Sequence, residues 1–234
     1  VTPYYERDGI TIYHGDCREI MPTLEADAVV TDPPYGIPSG AAFVRRGGAE
    51  LYFRGGWNAT ASPYWWLAFA PQTAAHVASF VDSATVSDAE IAMRAAGFEP
   101  WAKFYLVKQA PPPTPRPSFV SAVEECVIAK RRSVKRAWYG TGYEPNRWIG
   151  MTPNRRGEGW GHPCEKPLAP IQTLIRCLTP LDGLVLDPFM GSGTTLVAAK
   201  SLGRRAIGIE IEERYCEIAA KRLAQGALDF VVTA

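Results

Sequence analysis

Two acidic residues, each ending an apolar run and each followed by proline, stand out in this sequence as places where residue type and spacing could do chemistry. The first is in Val29-Val30-Thr31-Asp32-Pro33-Pro34-Tyr35-Gly36. The β-branched run reads as a strand, which puts Asp32 at its carboxyl end, where open α/β sheets bind ligands. Two prolines fix the backbone there, so the Asp32 carboxylate and the Pro33 carbonyl can face one point with little reorganisation. The plain alternative is an Asp-Pro turn with an exposed Tyr35.

The second is in Leu184-Val185-Leu186-Asp187-Pro188-Phe189-Met190-Gly191-Ser192-Gly193-Thr194-Thr195. A strand ends in Asp187, and a glycine loop then opens a helix whose first amides can hold an anionic group. A phosphate-cradling P-loop needs Gly-Lys-Ser/Thr, and Thr194-Thr195 stands there instead. A dinucleotide fingerprint needs Gly or Ala where Leu196 lies. An S-adenosylmethionine loop needs close backbone approach and hydroxyls, and this stretch has both. Twenty-three residues after Asp187 comes Glu210, placed at a strand end to accept from two ribose hydroxyls.

The elements that must position these groups read as strands alternating with helices, the pattern of an α/β sheet. With 234 residues, 47% of them hydrophobic, the chain can bury one sizeable core. Candidate strands are 10–13, 28–31, 76–80, 103–107, 126–130, 184–186 and 205–209. Helices are expected from a capping box at Ser87-Asp88-Ala89-Glu90 to near Gly97, and over 170–178, 194–202 and 213–223. Stretches 36–62, 110–118 (five prolines) and 135–161 show no clear period. No apolar run reaches the ~18 residues of a membrane span, and Val1 to Glu6 lacks a signal-peptide pattern. The chain is therefore expected to be cytoplasmic. Five scattered cysteines and three histidines show no ligand spacing, so no metal is expected.

The net charge of +1 hides an asymmetry: from Lys103 to Arg156 there are 11 Lys+Arg against 3 Asp+Glu. That excess suggests either a polyanion-binding face or a solvated basic loop.

With both motifs in view, the sequence resembles the amino-methyltransferases that modify adenine N6 or cytosine N4 in DNA, in the permuted β group where D-P-P-Y precedes D-P-F-x-G-S-G-T-T. Tyr13-His14-Gly15-Asp16-Cys17 resembles that family's segment beside the cofactor adenine. His162-Pro163-Cys164-Glu165-Lys166-Pro167 resembles its H-x-x-x-K-P segment. The resemblance implies a doubly wound, seven-stranded, mostly parallel Rossmann-like sheet with one antiparallel strand near an edge, for which the Cys126 strand is the candidate. Residues 1–134 and 162–234 would form the catalytic domain, and 135–161 a short target-recognition insertion.

The implied reaction centre is Asp32, Pro33, Pro34 and Tyr35, with Tyr35 stacking on a base flipped from double-stranded DNA. Asp16 and Cys17 would lie near the adenine of S-adenosylmethionine, and Glu210 on its ribose. Phe189, Gly191, Ser192, Gly193, Thr194 and Thr195 would surround the methionine part, with Asp32 and Asp187 bordering it. Lys166 would pair with the cofactor carboxylate or simply precede a helix. Lys130, Arg131, Arg132, Lys135 and Arg136 would meet DNA phosphates. Arg147, Arg155 and Arg156, with Trp138, Tyr139, Tyr143 and Trp148, would meet bases or sugars, and Arg45 and Arg46 would belong to a loop closing over DNA. An Asp at the head of the motif favours adenine N6 over cytosine N4. A non-catalytic nucleic-acid-binding module is the rival of another class, and self-association into a homodimer stays open. The family itself points to a bacterial or phage-encoded origin.

Overall fold

Short aliphatic and β-branched runs become the strands of one mixed sheet in the computed structural model, which describes residues 1–34, 63–111, 119–135, 137–152 and 165–225. The strands are β1 (Tyr5–Arg7), β2 (Ile10–His14), β3 (Ala28–Thr31), β4 (His76–Val81), β5 (Phe98–Lys108), β6 (Val123–Arg131), β7 (Arg147–Gly150), β8 (Leu184–Asp187) and β9 (Arg205–Glu210). Their order across the sheet is β1-β2-β9-β8-β3-β4-β6-β5-β7. All seven expected strands are present. Two short strands, β1 and β7, extend the sheet to nine at its two edges.

The strands β2, β9, β8, β3 and β4 pair in parallel. As expected, the Cys126 strand β6 runs antiparallel to its neighbours β4 and β5, and β1 also opposes β2. The pairing of β7 with β5 draws residues 147–150 into the sheet. The segment 135–161 is thus not wholly an insertion, because its middle hydrogen-bonds to the catalytic sheet.

Helices cover both faces. On one face α3 (Leu168–Leu178), α4 (Thr194–Ser201) and α5 (Glu213–Ala224) pack Ile171, Leu174, Leu196, Cys216 and Ala219 against Ile12, Val30 and Phe80. On the other, α1 (Cys17–Ile20), the 3₁₀ turn Trp65–Phe69 and α2 (Val86–Ala95) pack Ile20, Trp66, Ala89 and Met93 against Val29, Val77 and Leu186. Each fully buried aliphatic or aromatic side chain contributes roughly 1.5–3 kcal/mol. Strands β3 and β4 are buried along their whole length, which explains why they read as continuous apolar runs. The expected capping box at Ser87 is not the start of α2. A 3₁₀ turn, Ser83–Thr85, capped by the Asp82 carboxylate on Ala84 N, leads into that helix instead.

Arg131 belongs to this architecture rather than to a surface. Its guanidinium donates to Ala74 O at 3.0 Å, Pro71 O at 2.7 Å and Gln72 Oε1 at 3.2 Å, and stacks 4.2 Å from the Phe98 ring centre. Removing it takes the side-chain donor from Ala74 O, strips a second donor from Pro71 O (which keeps Ala74 N at 3.1 Å) and loses the stacking on Phe98, so Arg131→Ala should lower stability by about 2–3 kcal/mol. Exposed Arg132→Ala should change it by less than about 0.5 kcal/mol. Urea unfolding of the two variants measures the contrast, and equal small losses would contradict the structural role of Arg131.

Candidate active site

Parallel pairing of β3 with β8 brings both acidic motifs to one edge of the sheet, at the carboxyl ends of the strands. There the Thr31 hydroxyl donates to Asp187 Oδ1 at 2.7 Å, and Phe189 N donates to the same oxygen at 3.1 Å. Thr195 supplies a further hydrogen bond to Asp187. A cleft of roughly 440 Å³ opens beside them, lined by Asp32, Phe80, Lys166, Asp187, Phe189 and the glycine loop, among others.

The glycine loop lies tight on its surroundings. Gly193 is the N-cap of α4 in the left-handed region, with φ +83°, and a Cβ there would stand 2.7 Å from Ala219 Cβ. On β9, a Cβ at Gly208 would stand 2.4 Å from Met190 Sδ, so glycine lets the loop settle on the sheet. The hydroxyls of this loop are engaged inside the protein. Arg222, on α5, donates to Ser192 O at 2.8 Å, Ser192 Oγ at 3.0 Å and Thr194 Oγ1 at 3.3 Å. It also pairs with Glu165 at 3.0 Å, with both side chains less than a tenth exposed. Sequence reading missed Arg222 and Glu165, since neither carries a motif signal of its own role.

Glu210 ends β9 at the same edge. Its Oε2 accepts from Gly191 N at 3.0 Å and its Oε1 from Glu212 N at 2.9 Å, with a further backbone hydrogen bond from Ile211, so three of the about four acceptor positions of the carboxylate are used and one is left for a ligand. Gly15 N donates to Glu210 O at 2.9 Å, which places Asp16 and Cys17 alongside. Asp16 caps α1 and is held by Arg18 N and the Arg18 guanidinium. Cys17 is buried, and burial pushes its thiol up to about 12, so it is a neutral apolar wall. Phe189 makes edge-on ring contacts with Trp65 and Trp66, at 6.3 and 6.0 Å. The glycine cradle, the first-turn amides of α4 and the carboxylate of Glu210 fit an adenosylmethionine group. Ser192 and Thr194, which accept from Arg222, still have a proton to donate to it, whereas Thr195 spends its own on Asp187.

On the acceptor side, Asp32 is half-buried, Pro33 buried and Pro34 half-buried. Tyr35 lies outside the described residues. Lys166 forms an ion pair with Asp32 Oδ2 and lies 3.2 Å from Glu124 Oε2. Lys166, expected to pair with a cofactor carboxylate or to precede a helix, faces these two carboxylates and stands two residues before α3.

The basic candidates divide by sheet edge. Because β6 is antiparallel, Lys130 and Arg131 stand level with the amino end of β4. They are about four and five residues of strand rise, or roughly 13 and 17 Å, from the level of Asp32. Arg131 is buried, Lys130 donates to Val134 O at 3.4 Å, and Arg132 faces Glu99 at 3.6 Å. Arg131 is thus engaged inside the protein, and Lys130 and Arg132 stand towards the opposite end of the strands from Asp32. Lys135 follows them, exposed, just past the bond from Val134 N to Arg131 O. Arg147 is exposed at the start of β7. Arg45, Arg46, Arg136, Arg155 and Arg156 lie outside the described residues. Among the described residues, no group of three or more His, Cys, Asp or Glu could hold a metal, and no helix is long and apolar enough to cross a membrane.

Burial pushes the Asp187 carboxyl up to about 6, although hydrogen bonds from Thr195, Thr31 and Phe189 N favour the anion. The folded protein thus holds this proton more tightly than the unfolded chain, where the reference value is 3.8. From this group, stability falls as pH rises from about 4 to about 6 and stays lower above that. Asp187→Asn keeps an acceptor oxygen and removes the proton exchange. Relative to the parent protein it should gain roughly 1–3 kcal/mol between about pH 4 and pH 7, read from urea unfolding. A pH-independent difference would contradict the assignment.

Comparison with known proteins agrees with this geometry. A family model for N6/N4 methyltransferases, described as DNA methylase, matches residues 26–221. The chain is 27% identical to the Type II methyltransferase M2.LlaDCHI of Lactococcus lactis subsp. cremoris, over 96% of this chain and 93% of that protein. It is 26% identical to the Type II methyltransferase M2.DpnII of Streptococcus pneumoniae, over 94% and 92%. Among solved structures, the M1.HpyAVI–SAM complex aligns at 28% identity with a TM-score of 0.70, covering 92% of this chain and 98% of the other. The cytosine-N4-specific PvuII DNA methyltransferase aligns at 19% identity with a TM-score of 0.72, covering 94% and 88%, and shows a common fold. The chain therefore belongs to the DNA methylase family of N6/N4 amino-methyltransferases and is an S-adenosylmethionine-dependent DNA methyltransferase.

Proposed function

We propose that the enzyme methylates the N6 amine of adenine in double-stranded DNA, at a short recognition site, with the target base turned out of the helix to meet Asp32. The observation that carries this reading is the position of Asp32. Its carboxylate is fixed at the end of β3 by Lys166, in the same cleft as the glycine loop. An exocyclic amine is a poor nucleophile because its lone pair is delocalised into the ring. Hydrogen bonds from the amine to the Asp32 carboxylate and the Pro33 carbonyl would pull the nitrogen towards tetrahedral geometry and release that lone pair. S-adenosylmethionine supplies the electrophilic methyl group. The protein's own contribution is alignment of the amine and a fixed anion near the developing positive charge. Tyr35, next in the motif, is assigned to stacking on the base.

Adenine is preferred because Asp heads the motif, as in the adenine enzymes that the sequence resembles. The DNA is assigned to the carboxyl edge. Residues 35–62, with Arg45 and Arg46, follow the motif there, and residues 153–164, with Arg155 and Arg156, follow the end of β7 and lead to Glu165. The relatives named Type II methyltransferases suggest a restriction–modification setting.

Transfer of tritiated methyl groups to unmethylated duplex DNA, followed by nucleoside analysis, tests the assignment. N6-methyladenine is expected, and N4-methylcytosine would overturn the choice of base. Asp32→Ala and Asp32→Asn should lower transfer by roughly 100- to 10,000-fold while S-adenosylmethionine binding is retained. Transfer at the parent rate in both variants would displace the reaction centre from Asp32.

A further inference from the structure

Lys166 is a buried ammonium shared between two carboxylates that come from different strands. Only 11% of its side chain is exposed. Asp32, just after β3, holds it on one side, and Glu124 Oε2, on β6, stands 3.2 Å away on the other. The second oxygen of Glu124 pairs with Lys108 Nζ, at the end of β5, at 2.5 Å. Asp32, Lys166, Glu124 and Lys108 therefore form a line of alternating charge along the carboxyl edge. The Phe80 ring centre lies 5.0 Å from Lys166 Nζ and closes one side of it.

We infer that Glu124, backed by Lys108, is a positioning residue for methyl transfer: it anchors Lys166, and Lys166 in turn fixes the carboxylate of Asp32. The inference rests on the reading of Asp32 as the acceptor of the amine hydrogens.

The physical case has three parts. A lysine head sits on a flexible four-carbon stem and has no fixed geometry of its own, so a second anchor is needed to define where it stands. A buried ammonium with one carboxylate would also concentrate its whole charge on that partner, and Asp32 would then be a weaker acceptor for the amine. Glu124 takes a share of that charge and leaves Asp32 held but still able to accept. Finally, the line is electrically balanced, two anions against two cations, which is what allows four charged groups to stay ionised in a cleft wall. Burial opposes the charge on Lys166, and Asp32 with Glu124 more than restores it, holding the ammonium above the ordinary lysine range. Burial likewise opposes the Glu124 anion, yet Lys166 and Lys108 hold its carboxyl below the usual range.

A purely structural ion network would affect melting and leave the chemical step alone, which gives the test. In the full-length enzyme, Glu124→Gln should lower kcat by about 10- to 100-fold, with the KM for duplex DNA and the calorimetric Kd for S-adenosylmethionine unchanged. Lys108→Met should lower kcat less, and should add nothing in the Glu124→Gln background, because it acts through Glu124. Parent kcat in a folded Glu124→Gln enzyme would overturn the inference. So would a raised KM at constant kcat, which would make Glu124 a DNA contact, or a Lys108→Met loss that adds in full. If Glu124→Gln does not fold, Lys108→Met alone decides: reduced kcat at unchanged KM supports the line, and parent kcat overturns it. Asp32→Ala serves as the control. Transfer surviving there refutes the reaction centre itself, whereas its loss there with parent kcat in Glu124→Gln refutes only the positioning role.

Discussion

One hydrogen bond, from the Thr31 hydroxyl to Asp187 Oδ1, crosses 156 residues of sequence and ties the Asp32 motif to the glycine loop. It is possible only because β3 and β8 are parallel neighbours, so that both strands end at the same edge. Asp187 needs that bond. Its carboxylate is buried, and Thr31, Thr195 and Phe189 N are the groups that make its anion tolerable. The pairing of two central strands thus sets both the distance between the two motifs and the protonation behaviour of Asp187.

Around this junction the protein uses charge inside the wall rather than on the surface. Arg222 clamps the glycine loop and is itself held by Glu165. The next residue, Lys166, reaches the other way to Asp32. Two consecutive residues therefore hold the glycine loop, through Arg222, on one side and the Asp32 carboxylate on the other. A displacement of residues 165–166 would be felt at both motifs, and breaking the buried Arg222–Glu165 pair leaves an uncompensated charge.

Much of the fold was legible in the sequence because its signals are local. Strand runs such as Val29–Thr31 and Arg205–Ile209, the apolar face of α5 and the glycine that caps α4 depend on neighbours a few residues away. The two short edge strands escaped, since three or four residues with one side open carry no period to read. The start of α2 was misplaced because Asp82, capping a 3₁₀ turn, takes the role that the Ser87 pattern suggested.

The sequence by itself determined the order of the two motifs, the sheet that carries them and the residues whose chemistry is fixed by their own strand: Asp32, Asp187 and Glu210. Tertiary structure alone decided what those residues touch. Lys166 meets Asp32 and Glu124, and Arg222 reaches the loop from a helix 30 residues on. The basic run at 130–132 fell to the far edge because β6 is reversed, the same reversal that brings Glu124 to the near one. Charge counting along a chain carries no strand direction, and in a sheet it is direction that decides which end of a strand faces the chemistry.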